Sequence, residues 1–136
     1  GDPMKNALIA IAATSLAFSA CRGRDAELPE PYRSLAVPQS LLQSPEAREE
    51  GRELFLEHCA LCHGDQADGR GVRRSALNKP PQDFTDPAWR RRMTPRHVFS
   101  IIREGSPGTA MPAWKIFSDT QTWDLTAYLL SVAGKP

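Results

Sequence analysis

Cys59-Ala60-Leu61-Cys62-His63 is the stretch whose residue types and spacing carry chemistry. Two thiols one helical turn apart can bond to the two vinyl groups of a single porphyrin. The histidine that follows is then placed to offer its imidazole to the iron. This is the spacing of c-type haem attachment, with Cys59 and Cys62 as thioether anchors and His63 as an axial ligand. Two other uses of a paired cysteine fit less well. A thioredoxin-like dithiol expects a strand before it and βαβ surroundings, whereas Glu46 to His58 is charged and helical in pattern. A zinc site needs about four ligands, usually in two pairs. His58 and His97 form no second pair, and Cys21 lies far upstream.

A second axial ligand would have to come from elsewhere in the chain, and two methionines are available. Met111 lies in Gly105-Ser106-Pro107-Gly108-Thr109-Ala110-Met111-Pro112-Ala113-Trp114. Pro112 biases the residue before it toward an extended backbone, so a stiff loop presents Met111. Met93 stands between an arginine run and a helix start, without a comparable loop. Upstream, Asn78-Lys79-Pro80-Pro81-Gln82-Asp83-Phe84 is expected to be extended. A rigid proline segment can offer a backbone carbonyl to the outer nitrogen of His63, orienting the ring and raising its basicity.

The elements that position these groups are helices. Ser44-Pro45-Glu46 is a helix start, with Ser44 as cap and Pro45 in the first turn. Gly51, Leu54, Phe55 and His58 then recur on one face. Gly51 would let a second helix approach closely, and His58 is expected on the helix surface. Gly64 to Gly71 is glycine-rich, but no strand precedes it and no Gly-Lys-Ser/Thr follows. It therefore reads as a tight loop rather than a phosphate cradle. Val72 to Leu77 is expected to hold a short helix. Thr94-Pro95 opens another helix, with Val98, Ile101 and Ile102 apolar and Gly105 as its stop. Ser118-Asp119-Thr120-Gln121 is a capping box before a last apolar helix, expected to cross the first near Gly51 and Phe55.

The N-terminal part reads differently. Gly1-Asp2-Pro3 precedes the first methionine. After Lys5 and Asn6 a small, apolar run extends from Ala7 to Ala20, the length of a signal-peptide core and short for a membrane span. It ends Phe18-Ser19-Ala20-Cys21, similar to a bacterial lipobox, although Phe18 stands where leucine is usual. Residues 1–20 are thus expected to be an export signal and Cys21 a lipid attachment site. Ordinary cleavage with Cys21 free, or an uncleaved anchor, remain as alternatives. Each puts the domain outside the cytoplasm. Residues 21–44 are polar and proline-bearing and are expected to form a tether, part of which can pack on the domain at 45–136. A chain of 136 residues with net charge +1 is a small domain, not a nucleic-acid binder working through a strong positive field.

With these motifs together, the chain resembles the class I cytochrome c family over roughly Pro45 to Ala133. The resemblance rests on Gly51, Phe55, Cys59-x-x-Cys62-His63-Gly64, Pro80-Pro81-x-Asp83-Phe84, Gly105 to Met111-Pro112-Ala113-Trp114, and Trp123 with Tyr128-Leu129. It implies an all-α fold of three main helices around one covalent haem c, with His63 and Met111 as axial ligands and one-electron transfer as the function. It also implies a carbonyl donated to His63 by Pro81, or by Pro80 if the spacing differs. The lipobox and tether resemble the single-haem lipoproteins of bacterial respiratory complexes, including alternative complex III. Expected partners are redox proteins such as a quinol-oxidising complex and a terminal oxidase, with a membrane reached through Cys21. Neither nucleic acid nor a small-molecule substrate is expected. Arg90, Arg91, Arg92 and Arg96, with Arg70, Arg73 and Arg74, are candidate docking charges. The rival classes are a haem enzyme, a gas-ligand sensor with a displaceable sixth ligand, and a structural subunit.

Overall fold

Three of the helices begin with the same device: a polar cap residue followed by proline. In the computed structural model, which describes residues 23–133, Ser44, Asp86 and Thr94 each accept a hydrogen bond from a first-turn amide, those of Ala47, Ala88 and His97. Proline at the first helical position has no amide hydrogen to leave unpaired and a torsion already suited to the helix. The helices are α1 (Gln39–Gln43), α2 (Pro45–His58), α3 (Ala60–His63), α4 (Pro87–Arg92), α5 (Pro95–Glu104) and α6 (Asp119–Val132). Short 3-10 turns lie at Tyr32–Ser34 and Arg74–Ala76. No strand occurs among the described residues. The expected all-α architecture is present, with α2, α5 and α6 as the three main helices.

The crossing of α2 and α6 is the structural centre. A Cβ added at Gly51 would run into the main-chain carbonyl of Asp124, so only glycine permits this approach. Phe55 is 1% exposed and packs on Tyr128 with ring centroids 5.3 Å apart. The capping box is complete: Ser118 accepts from the amide of Gln121, and the Gln121 side chain accepts from the amide of Ser118. Helix α6 is buried almost all round, including Thr122 and Thr126, whose hydroxyls donate back to the carbonyls of Ser118 and Thr122. That pattern satisfies a buried hydroxyl within its own helix. The sequence anticipated the apolar side of α6; its polar side is covered too, because α1 and α5 pack against it as well as α2.

The tether expected over 21–44 requires correction. From Asp25 onward it is a strap laid on the domain. Leu28 is buried. Asp25 accepts from the Thr94 hydroxyl at 2.5 Å and pairs with Arg96 at 2.7 Å. Arg96 Nε also donates to the Leu35 carbonyl at 2.7 Å, the Tyr32 hydroxyl donates to Glu104, and α1 lies against α6. Its amphipathic content was visible, but its anchor is an aspartate 69 positions from its partner threonine. No local pattern reports such a pairing. The export signal (1–20) and Cys21 lie outside the described residues.

Candidate functional site

Helix α2 ends at His58, and the chain turns through Cys59 into the single turn of α3, where Cys59 receives the amide hydrogens of Cys62 and His63 on its carbonyl. This turn puts both half-buried thiols and the buried imidazole of His63 on one wall. Gly64 then leaves with φ +83°, a conformation natural to glycine, and a Cβ there would meet the Asp68 carboxylate. The loop folds back beneath α3. Gly69 and Gly71 donate to the carbonyls of His63 and Cys62 at 2.7 and 3.1 Å.

His63 Nδ1 lies 3.1 Å from the main-chain oxygen of Gln82. A carbonyl can only accept, so Nδ1 carries the hydrogen, and in the neutral ring the lone pair is on Nε2. Burial lowers the His63 pKa, with the Gln82 bond opposing it, so the ring is held in the neutral form that coordinates metal. Here the expectation of Pro81 is corrected by one residue, and Pro80 by two. Carbonyls of an extended chain alternate in direction, and that of Pro81 faces the backbone of Gly69, 2.8 Å from where a Cβ would stand. Phe84 lies against the imidazole with centroids 4.7 Å apart.

The opposite ligand candidate comes from the 105–114 loop. Gly105 ends α5 with φ +76°, and its Cβ position is 2.8 Å from the Met111 carbonyl. The loop is pinned by Ser106 N to Met111 O, Thr109 N and hydroxyl to Ser106 O, Met111 N to the Thr109 hydroxyl, and Trp114 N to Ile102 O. Cys59, Cys62, His63, Met93 and Met111 all line one cavity of about 410 Å³, walled by Phe55, Phe84, Trp89, Val98, Ile102, Trp114, Leu125 and Leu129. Both methionines therefore reach the same space. They differ in support: Met93 ends α4 and packs on the core, whereas Met111 sits in the pinned loop. His58 is half-buried at the cavity wall, its ring edge-on to Trp114 and Phe117 at 5.6 and 5.2 Å. It is more enclosed than a helix-surface position.

Burial pushes the Cys59 thiol up to about 12, with Cys62 adding to the effect. A redox dithiol needs the reverse, a thiolate stabilised by positive surroundings. Among the described residues no three His, Cys, Asp or Glu side chains converge as a zinc site requires.

A family profile described as Cytochrome C oxidase, cbb3-type, subunit III matches residues 46–129, more than half of the chain. The chain belongs to this family of c-type cytochromes. The cbb3-type oxidase subunit FixPc of Rhizobium leguminosarum bv. viciae is 32% identical over 93 residues, 66% of this chain and 29% of that protein. Subunit CcoP of Rubrivivax gelatinosus is 30% identical over 99 residues, 72% of this chain and 30% of CcoP. Cytochrome c55X of Stutzerimonas stutzeri is 29% identical over 92 residues, 64% of this chain and 70% of that protein. The chain thus spans about three-tenths of the length of the two oxidase subunits. A solved structure, the reducing HAO-like protein complex of Kuenenia stuttgartiensis, aligns with TM-score 0.55 at 24% identity, covering 62% of this chain and 42% of that one. That likeness concerns the fold.

The residues present fit the haem c of the family. The cavity is apolar apart from a few convergent polar groups, as cofactor sites are. Cys59 and Cys62 can bind the ring edge, and His63 carries a lone pair fixed by Gln82. Thioether sulfur is available from Met111.

Proposed function

We propose that this chain is a single-haem electron carrier of the cbb3 subunit III family, with His63 and Met111 as axial ligands. It works on the outer side of the cytoplasmic membrane as a lipoprotein anchored through Cys21. The observation that carries the reading is the convergence of Cys59, Cys62, His63 and Met111 on one apolar cavity. Haem iron with one nitrogen and one thioether ligand cycles between two oxidation states at a raised potential.

The chain's own residues supply the rest. Gln82 and Phe84 hold the His63 ring in one tautomer and one orientation, which keeps the coordinating nitrogen in place in both oxidation states. The pinned 105–114 loop, braced by Trp114 against Ile102, holds the Met111 sulfur and keeps water out. Val72, 82% exposed, and Arg74 line a surface hollow that shares Leu77 and Pro80 with the cavity, and the Arg73 amide donates to the carbonyl of Leu61, 51% exposed; with Arg70 they make a mixed apolar and cationic surface of the kind that steers an encounter. Redox proteins such as a quinol-oxidising complex and a terminal oxidase are the partners, and the chain serves either as a subunit of such a complex or as a tethered shuttle. Arg96 is withdrawn from the docking charges by its pairing with Asp25.

Visible spectroscopy of the ferric holoprotein tests the reading. A carrier shows the weak red band of an iron–methionine bond and, when reduced, does not bind carbon monoxide. Ready binding of carbon monoxide at rest gives the protein to the enzyme or sensor classes instead. Mass spectrometry of the mature N-terminus should find Cys21 first and acylated; an unmodified thiol there contradicts the lipoprotein reading.

A further inference from the structure

Among the described residues, exposed Arg33 and Arg52 are paired with Glu30 and Glu49, and the other exposed arginines, Arg24 apart, fall into two stretches. Arg70, Arg73 and Arg74 lie in the loop that borders the cavity, where Arg74 shares a surface hollow with Leu77 and Pro80, themselves cavity residues. Arg90, Arg91 and Arg92 form the exposed end of α4. Arg24, immediately before the strap, donates to the Arg91 carbonyl. Among the described residues, none of Arg24, Arg90, Arg91 and Arg92 is in an ion pair, and the side chains of Arg91 and Arg92 make no hydrogen bond. Asp25 is engaged by Thr94 and Arg96, and Asp86 by the amide of Ala88. Cations near a helix C-terminus are favourable, but a six-residue helix has little use for three.

The strap supplies the second observation. Asp25 is buried and fixed to Thr94 and Arg96. Cys21 precedes it by four residues, with one more cation, Arg22, between. At no more than about 3.6 Å per residue, a chain held at Cys21 keeps Asp25 within about 14 Å of that point. The cationic group therefore stands where an anchored chain would meet the bilayer.

We propose that the face formed by Arg24, Arg90, Arg91 and Arg92 binds the anionic headgroups of the membrane in which Cys21 is anchored. The contact holds the domain in one orientation on the lipid surface and leaves the Arg70, Arg73 and Arg74 loop for redox partners. This rests on the anchoring reading above. Helix α4 also carries Trp89 and Met93 to the cavity, so fixing its outer face fixes the depth of the haem site relative to the membrane. Arginine near an anionic surface gains about a fivefold advantage per residue, lost within a Debye length and screened by salt.

The test is a residue-resolved arginine footprint on the full-length, haem-loaded protein. It is reconstituted in phosphatidylcholine vesicles with and without phosphatidylglycerol and modified with phenylglyoxal. Arg91 and Arg92 should react about fivefold more slowly on the anionic vesicles and recover at high salt, while Arg73 and Arg74 stay unchanged. Equal reactivity of Arg91 and Arg92 on both vesicles overturns the proposal, whatever the state of Cys21. So does equal protection of Arg73 and Arg74, or protection that appears only when an oxidase complex is added, which means a protein surface. The N-terminal peptide from the same digest reports acylation separately. An unmodified Cys21 beside protected Arg91 and Arg92 defeats the anchor and leaves the lipid face standing.

Discussion

The main chain of residue 82, not its side chain, orients His63. Gln82→Ala should therefore leave haem attachment and midpoint potential unchanged in a redox titration. Gly69→Ala should not be silent. It forces a Cβ into a backbone with φ +75° and 2.8 Å from the Pro81 carbonyl. Backbone strain of this kind is worth about 1–3 kcal/mol, and the displaced segment carries the bond to His63. A lowered denaturant midpoint and a shifted potential are expected; an unchanged protein would mean that the segment yields freely. Replacing both Cys59 and Cys62 by alanine should give protein whose haem is lost in acid–organic extraction, whereas haem extractable from the wild type contradicts covalent attachment. At this scale the sequence was informative where chemistry demands fixed spacing, as in Cys59, Cys62 and His63. It was off by one residue at Pro81, since a run of residues on an extended segment does not reveal which carbonyl turns inward. His58 was misplaced on the surface because helical periodicity places a residue on a face without showing what the distant Trp114 and Phe117 lay over it.

The helices that frame the site were legible where cap and period agree: α2 and α5 from Ser44-Pro45 and Thr94-Pro95, α6 from its capping box. Helix α4 carries the same cap-and-proline signal at Asp86-Pro87, but it is too short for an apolar period, and the sequence reading assigned no helix there. The strap was the larger miss, because its hold on the domain is long-range. Gly51→Val should show how closely α2 and α6 must pass. Overpacking a well-packed contact costs typically about 1–3 kcal/mol, read as a lower urea midpoint of the holoprotein. Asp25 makes the strap sensitive to acid. Burial raises its pKa, but hydrogen bonds from Thr94 and Arg96, with the charges of Arg96 and His97, outweigh burial and leave it below the usual 3.8. The stabilisation is thus present above the unfolded-state value and is lost as pH falls through the folded one. Asp25→Asn should destabilise the protein at neutral pH by about 1–3 kcal/mol. The difference from wild type should begin to fade as pH falls below the unfolded-state value of about 4 and vanish only once the folded carboxylate, which titrates lower, is itself protonated. A difference that persists unchanged into acid would mean that the charge is not what holds the strap.

For the molecule as a whole, the fold and the cavity give a reason for each part of the sequence resemblance. The Gly51 crossing brings Phe55, Leu125 and Leu129 to the cavity wall, the proline segment fixes the His63 ring, and the Gly105-to-Trp114 loop carries Met111 to the cavity. The sequence favoured Met111 over its competitor Met93, and both line the cavity. The central claim is that Met111 closes the iron and makes the protein a carrier. Met111→Leu conserves volume, so packing should change by less than about 1.5 kcal/mol while the sulfur is gone. The most direct measurement is the visible spectrum of this variant, ferric and then ferrous under carbon monoxide, beside Met93→Leu. The account predicts that Met111→Leu loses the red methionine band and binds carbon monoxide with its haem still attached, and that Met93→Leu keeps the band. Loss of the band in Met93→Leu, with Met111→Leu unaffected, would contradict it.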